Sequence, residues 1–168
     1  MDFIVGLPNT SQKHDSVWVI IDRLTKTAHF IPVHTTYSAK KYAEIYLDQI
    51  VHLYGVPKTI ISDRGAQFIA RFWEQLQESL GTKLIRSSTY HPQTDGQTER
   101  INQILEDMLR AFQYGKNWDK CLALAEFSYN NSYQSSLQMT LFEALYGRRC
   151  RTPLSWYKLE NAKFLGTI

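Results

Sequence analysis

The chain has 168 residues, 43% of them hydrophobic and 21% charged, and a formal net charge of +3. That length and hydrophobic share predict a single domain with one sizeable core. The modest positive charge admits nucleic-acid partners without requiring them, and no apolar run approaches the roughly 20 residues of a membrane-spanning helix.

Strand signals come first. Asp2 to Val5 is short and apolar and stops at Gly6-Leu7-Pro8-Asn9. Val17-Trp18-Val19-Ile20-Ile21 is apolar and β-branched, which suits a central strand. Ala28 to Val33 supplies a third strand after the polar turn Asp22-Arg23-Leu24-Thr25-Lys26, and the three form an antiparallel meander. A helix follows from Ser38 to His52, with Ser38 as its cap and Tyr42, Ile45, Tyr46, Gln49 and Ile50 along one side. Gly55-Val56-Pro57 stops it. Thr59 to Ser62 is the next strand, Phe68 to Leu80 a helix, and Thr82 to Ser87 another short strand.

Pro92, Asp95 and Gly96 then mark a loop, and an amphipathic helix follows. Ile101, Leu105, Met108, Leu109 and Phe112 give it one apolar stripe at the 3.6-residue period, with Glu99 in its first turn and off the stripe. Trp118 to Tyr133 reads as a further helix through Leu122, Ala125, Glu126 and Tyr129, and Gly147 to Pro153 as a basic loop. This order of elements describes a mixed α/β sheet with helices packed on it. Cys121 and Cys150 are too few for a disulfide framework or a zinc site, and the five histidines show no metal spacing with them. A reducing intracellular compartment is expected, with no secretory leader at the N-terminus.

The acids carry the chemistry. Asp63 stands where the apolar run Thr59-Ile60-Ile61 meets a loop, Glu99 stands at a helix start, and 35 residues separate them. Carboxylates so placed suit a divalent-metal site for phosphodiester chemistry, because Mg²⁺ takes hard oxygen ligands and two ions roughly 4 Å apart serve both reacting oxygens. A third acid has to come from a neighbouring strand. Asp2, inside the first strand, and Asp22, at the end of the second, both qualify; turn chemistry alone explains Asp22, so position favours Asp2. Asn102 follows Glu99 by three residues and shares its helix side, where a hydrogen bond behind the metal ligands and plain solvation are both open. Gln93, Gln97 and Arg100 near Glu99, and Arg148, Arg149 and Arg151 further on, are candidates for DNA contact. For the late arginines a solvated linker is an equal reading. His91, before proline, reads as structural.

Four motifs occur in order: Met1-Asp2-Phe3-Ile4-Val5-Gly6-Leu7-Pro8, Ile21-Asp22-Arg23-Leu24-Thr25-Lys26, Ser62-Asp63-Arg64-Gly65, and His91 to Arg100. Together they resemble the integrase core of gypsy-class long-terminal-repeat retrotransposons. Phe142 to Arg151 looks like the segment that follows that core in plant elements. The resemblance covers essentially the whole chain. It implies an α/β, ribonuclease-H-like fold with a mixed five-stranded sheet, three antiparallel strands then parallel ones, flanked by helices. It places the catalytic core at residues 1–146, with a truncated first strand, and a basic C-terminal linker at 147–168.

By the same resemblance Asp2, Asp63 and Glu99 form the catalytic, metal-binding triad, which settles Asp2 over Asp22 by analogy. The implied cofactor is Mg²⁺ or Mn²⁺, two ions with DNA bound. The implied reaction processes the 3′ ends of element DNA and joins them to target DNA. DNA, a second copy of the chain (through helices such as Trp118 to Tyr133), and zinc-binding and C-terminal integrase domains are the implied partners. The implied location is the nucleus, or a cytoplasmic virus-like particle before nuclear entry. Leu141 departs from the family pattern, which expects proline there. Gln103 and Glu106 replace lysines that face DNA in some retroviral relatives, so that contact is not carried over. Two other readings stand beside this one: a hydrolytic nuclease of the same fold, and a decayed or co-opted fragment that binds DNA or a partner integrase.

Overall fold

The computed structural model describes residues 1–62, 81, 83–86, 92–111, 115–135, 137–148 and 150. Strands β1 (Asp2–Ile4), β2 (Ser16–Ile21) and β3 (Ala28–Val33) form an antiparallel sheet in the order β1-β2-β3. A parallel pair, β4 (Thr59–Ser62) and β5 (Lys83–Arg86), forms a second sheet. The Met1 backbone nitrogen donates to Ile61 O at 2.8 Å, so the start of β1 lies beside β4.

β2 is buried on both faces, which explains its uninterrupted apolar run. Val17 and Val19 face one core with Ala28 and Phe30 of β3. Trp18 and Ile20 face the other with Val33. The second core is closed by a helical segment that starts as α1 (Ala39–Tyr46), capped where Ser38 Oγ accepts from Lys41 N. It passes through a π-helical turn, Leu47–Val51, and ends in α2 (His52–Tyr54). Gly55 then stops it at φ +76°, a conformation open to glycine. Tyr42, Ala43, Tyr46 and Ile50 are its buried side chains.

The first core is closed by α3 (Pro92–Ala111), through Ile101, Leu105 and Leu109. This helix begins earlier than the sequence predicts: Pro92, Asp95 and Gly96 belong to it rather than to a preceding loop. Proline at the first helical position loses no hydrogen bond, since that N–H has no intrahelical acceptor. The interior glycine costs about 1 kcal/mol, which burial of the apolar stripe exceeds. Glu99 therefore lies roughly two turns into the helix, not in its first turn.

The predicted Trp118–Tyr133 helix is also corrected. Gly115–Cys121 is a 3₁₀ segment with non-helical backbone at Asn117, and only Leu122–Asn130 (α4) is α-helical. Trp118 is committed elsewhere, its indole Nε1–H donating to Pro8 O at 2.7 Å. Tyr133 lies in a two-residue strand, β6 (Tyr133–Gln134), paired with β7 (Met139–Thr140). A short helix, α5 (Leu141–Tyr146), follows, with Thr140 Oγ1 accepting from Glu143 N at 3.2 Å. The predicted helix at 68–80 lies outside the described residues. Among the described residues no helix is long and apolar enough to cross a membrane.

The outward N–H groups on the free edge of the first sheet are all accounted for. Along β3 the outward N–H groups belong to alternate residues. Ala28 N–H donates to Asn130 Oδ1 at 3.0 Å, and Phe30 N–H donates to Glu126 Oε2 at 2.9 Å. The third outward position is Pro32, which has no N–H. Asn130 Nδ2 also donates to Ala28 O at 2.9 Å, so this side chain stands in for a neighbouring strand.

Candidate active site

Strand register decides where Asp2 points. Asp2 lies opposite Val19, and residues opposite one another share a sheet face. Val19 faces the core closed by α3, so Asp2 is turned toward α3 as well. Its neighbour Phe3 lies opposite Trp18 and stacks on that indole, with ring centroids 5.8 Å apart. That stacking anchors β1 on the other face.

Asp2 uses both oxygens. Oδ1 accepts from Phe3 N–H at 2.8 Å, and Oδ2 accepts from Asn102 Nδ2 at 2.5 Å. Asn102 Oδ1 is buried and has no hydrogen-bond partner. Glu99 precedes Asn102 by three residues on α3, less than one helical turn, so the two positions share a helix side. The side of α3 that carries position 99 is thus brought against Asp2.

Of the other predicted site residues, Asp63 lies outside the described residues; it follows Ser62, the last residue of β4. Gln93 and Gln97 are placed on α3 by their backbone. Arg100 and Arg148 are exposed, while Arg149, Arg151 and His91 lie outside the described residues. Asp22 is not brought to this site: its carboxylate holds the turn it opens, accepting from Leu24 N, Thr25 N and Thr25 Oγ1.

Hard oxygen is what Mg²⁺ or Mn²⁺ takes, and the Asp2 carboxylate, oriented by Phe3 N–H and the Asn102 amide, offers it. A carboxylate oxygen accepts more than one bond, so the two hydrogen bonds leave Asp2 with acceptor capacity. The residues present fit such an ion. Among the described residues no three His, Cys, Asp or Glu side chains converge on one point, but Asp63 and the Glu99 side chain are not among them.

Sequence reasoning missed Glu126 and Asn130. Their signal was two polar residues four apart on a helix side otherwise made of Leu122, Ala125 and Tyr129. Three of the five histidines serve as local partners: His14 pairs with Asp119 at 3.0 Å, His29 with Glu126 at 3.0 Å, and His34 with Asp15 at 3.4 Å. Cys121 is buried and free, and Cys150 is free.

The fold is the ribonuclease-H-like fold of integrase catalytic cores. The catalytic core domain of BIV integrase matches with a TM-score of 0.67 at 23% identity, over 97% of this chain and 96% of that one. The HTLV-2 integrase catalytic core domain, solved in complex with magnesium in a trimeric form, gives 0.63 at 17% identity, over 83% and 98%. A chain of the simian T-cell lymphotropic virus intasome, in complex with PP2A regulatory subunit B56 gamma, gives 0.66 at 20% identity, over 88% and 58%.

Residues 1–92 match the model of the integrase core domain family, and the chain belongs to that family. The Tf2-3 and Tf2-4 transposon polyproteins of Schizosaccharomyces pombe are each 34% identical to it over 148 residues, 87% of this chain. The chain spans 11% of the length of those relatives. The kinship with retrotransposon integrases expected from the motifs is therefore shown.

Proposed function

We propose that this chain is the catalytic core of a metal-dependent DNA strand transferase that processes retrotransposon DNA 3′ ends and joins them to target DNA. The observation that carries the reading is the Asn102–Asp2 hydrogen bond in a chain of the integrase core family. It sets the Glu99 side of α3 against the strand that bears Asp2. The Met1–Ile61 hydrogen bond supports a continuous five-stranded sheet in which β4 and β5 run beside β1. On that reading Asp63, the residue after β4, joins Asp2 and Glu99 as the third ligand.

Asp2, Asp63 and Glu99 would hold Mg²⁺ or Mn²⁺, two ions with DNA bound, which supply charge neutralisation and activation of the attacking oxygen. The chain itself supplies placement. Phe3 N–H and the Asn102 amide fix the orientation of the Asp2 carboxylate, and β1 is held by β2 on one side and by Ile61 on the other. In the proposed reaction water cleaves a phosphodiester near each DNA end and frees a 3′-hydroxyl. That hydroxyl then attacks a target phosphodiester in line, so one P–O bond forms as another breaks. Gln93, Gln97, Arg100, Arg148, Arg149 and Arg151 are proposed to meet DNA, the arginines through phosphates, which positions the duplex without reading its sequence.

The core is proposed to end near Tyr146, with 147–168 as a basic linker within a longer polyprotein that also carries zinc-binding and C-terminal integrase domains. Two or more copies act together, because two DNA ends must be joined. The proposed site of action is the nucleus, reached from a cytoplasmic particle. The test is product analysis on a branched DNA substrate with Mn²⁺. Joined strands support transfer, whereas nicks alone would replace this reading with a hydrolytic nuclease.

A further inference from the structure

Ser16 lies opposite Val33, so the residues just beyond them, Asp15 and His34, meet at one end of the β2–β3 pair. There the His34 Nδ1 meets three groups at once. Thr36 N lies 3.1 Å from it, Thr36 Oγ1 2.9 Å, and Asp15 Oδ2 3.4 Å. A backbone N–H only donates, so Nδ1 is an acceptor and carries no proton. The ring is therefore neutral, with its hydrogen on Nε2. His34 is 26% exposed at its side chain, so protons from solvent reach it.

In this state the Asp15 carboxylate faces a lone pair, not a donor. Other bonds keep it there: Oδ1 accepts from Thr35 N–H at 2.8 Å, and Oδ2 from the Thr35 hydroxyl at 2.7 Å. Oδ2 retains acceptor capacity. A proton on Nδ1 inverts both relations. The imidazolium attracts Asp15 and donates to Oδ2, while Thr36 N–H then meets another N–H and must let go. The Thr36 hydroxyl serves both states, donating to the neutral ring and accepting from the charged one.

The titratable groups facing His34 are Asp15 ahead of β2, Tyr37 in the same turn, with ring centroids 6.1 Å apart, and Tyr42 from α1. Burial raises the Asp15 carboxyl, but the Thr35 hydroxyl and amide, the Ser16 hydroxyl and the His34 charge together hold it below 3.8. Burial first, then the Asp15 charge and Tyr37, push the Tyr42 hydroxyl up to about 12, so it stays a donor to His34 O. Neither group changes charge between about pH 5 and 8, where an imidazole ordinarily does. Both connections depend on the same contacts. Tyr37 N–H donates to His34 O at 2.9 Å, one residue before the Ser38 cap of α1, and Leu7 N–H donates to Asp15 O at 3.1 Å. We propose that His34 is a proton-operated switch: neutral, it holds the Thr36 amide and closes the β3–α1 turn; protonated, it releases Thr36 and engages Asp15 ahead of β2. The device does not rest on the strand-transfer reading, and none of its residues belongs to the proposed metal site.

The test follows the isotope-labelled full chain by NMR from about pH 8 down to about pH 5. Ring nitrogen shifts at the high-pH end are expected to place the His34 proton on Nε2. As pH falls, the Thr36 amide is expected to move upfield and to exchange faster with water, with the same midpoint as the His34 ring. In His34→Gln the ring is gone, and the Thr36 amide is expected to lose that transition. Asp15→Asn removes the anion that favours the imidazolium, so the Thr36 transition is expected at lower pH. Both substitutions keep side-chain size and polarity, and the wild-type titration stands without either. A Thr36 amide that stays in place while the ring titrates would overturn the proposal. So would a ring proton on Nδ1 at the high-pH end, an unchanged Thr36 transition in His34→Gln, or an unmoved midpoint in Asp15→Asn.

Discussion

Asn102 reaches across 100 positions of sequence to hold Asp2, its amide nitrogen 2.5 Å from Oδ2. The contact follows from two periodicities. Strand alternation turns Asp2 toward the helix, and the apolar stripe of Ile101, Leu105 and Leu109 turns Asn102 toward the strand. On the proposed function Asn102 orients a metal ligand without binding the metal, a role that typically contributes 10- to 100-fold. Asn102→Ala should therefore lower joining by about that factor and raise the Mn²⁺ concentration needed for half-maximal rate, with the circular dichroism spectrum retained. An unchanged metal dependence would show that Asn102 only packs.

Asn130 closes the edge of β3. It is 2% exposed and satisfies both the N–H and the C=O of Ala28. Truncation would strand two buried backbone groups, each costing about 1–3 kcal/mol. Asn130→Ala should thus lower the urea midpoint by an amount equivalent to about 3 kcal/mol with an unchanged slope. A loss below about 0.5 kcal/mol would mean that water reaches Ala28 and that the edge is not sealed.

Two aspartates shape the acid limb of stability. Burial alone would raise both and is the largest single influence, but in Asp119 the hydrogen bonds from His14, Thr10 and Lys120 N and the His14 charge together outweigh it, and in Asp15 the Thr35 hydroxyl and amide, the Ser16 hydroxyl and the His34 charge together do. Both carboxyls are held below the ordinary value of 3.8. A carboxyl lowered in the folded state stabilises the fold above its unfolded value and loses that contribution as pH falls through the lowered one. Asp119→Asn should therefore be less stable than wild type at neutral pH, and the two urea-midpoint curves should converge below pH 3.8. Curves that stay parallel would remove the charge of Asp119 from the account.

Much of this was legible because local signals and tertiary packing agreed. The unbroken apolar, β-branched run from Val17 to Ile21 marks a β2 buried on two faces, and Ser38 marks the start of α1. The start of α3 was misread because Pro92, Asp95 and Gly96 are turn formers in isolation, and only burial of the stripe downstream carries the helix through them. The helix predicted to Tyr133 ends at Asn130 because Tyr133 is instead paired with Thr140 across β6 and β7, a pairing that no local signal announces. α5 carries a readable local signal, the Thr140-Leu141-Phe142-Glu143 capping pattern. Asp2 was preferred over Asp22 from position and settled by resemblance. Register accounts for its direction, which no local feature of the sequence specified.

The central claim is that α3 delivers Glu99 to a metal-dependent site with Asp2. Its most direct test is Mn²⁺-dependent joining on a branched DNA substrate by wild type and Glu99→Gln. Joining by wild type that is lost in a folded Glu99→Gln variant is the predicted result. Equal joining by the two proteins would contradict the account, because strand transfer would then proceed without the carboxylate on which the site is built.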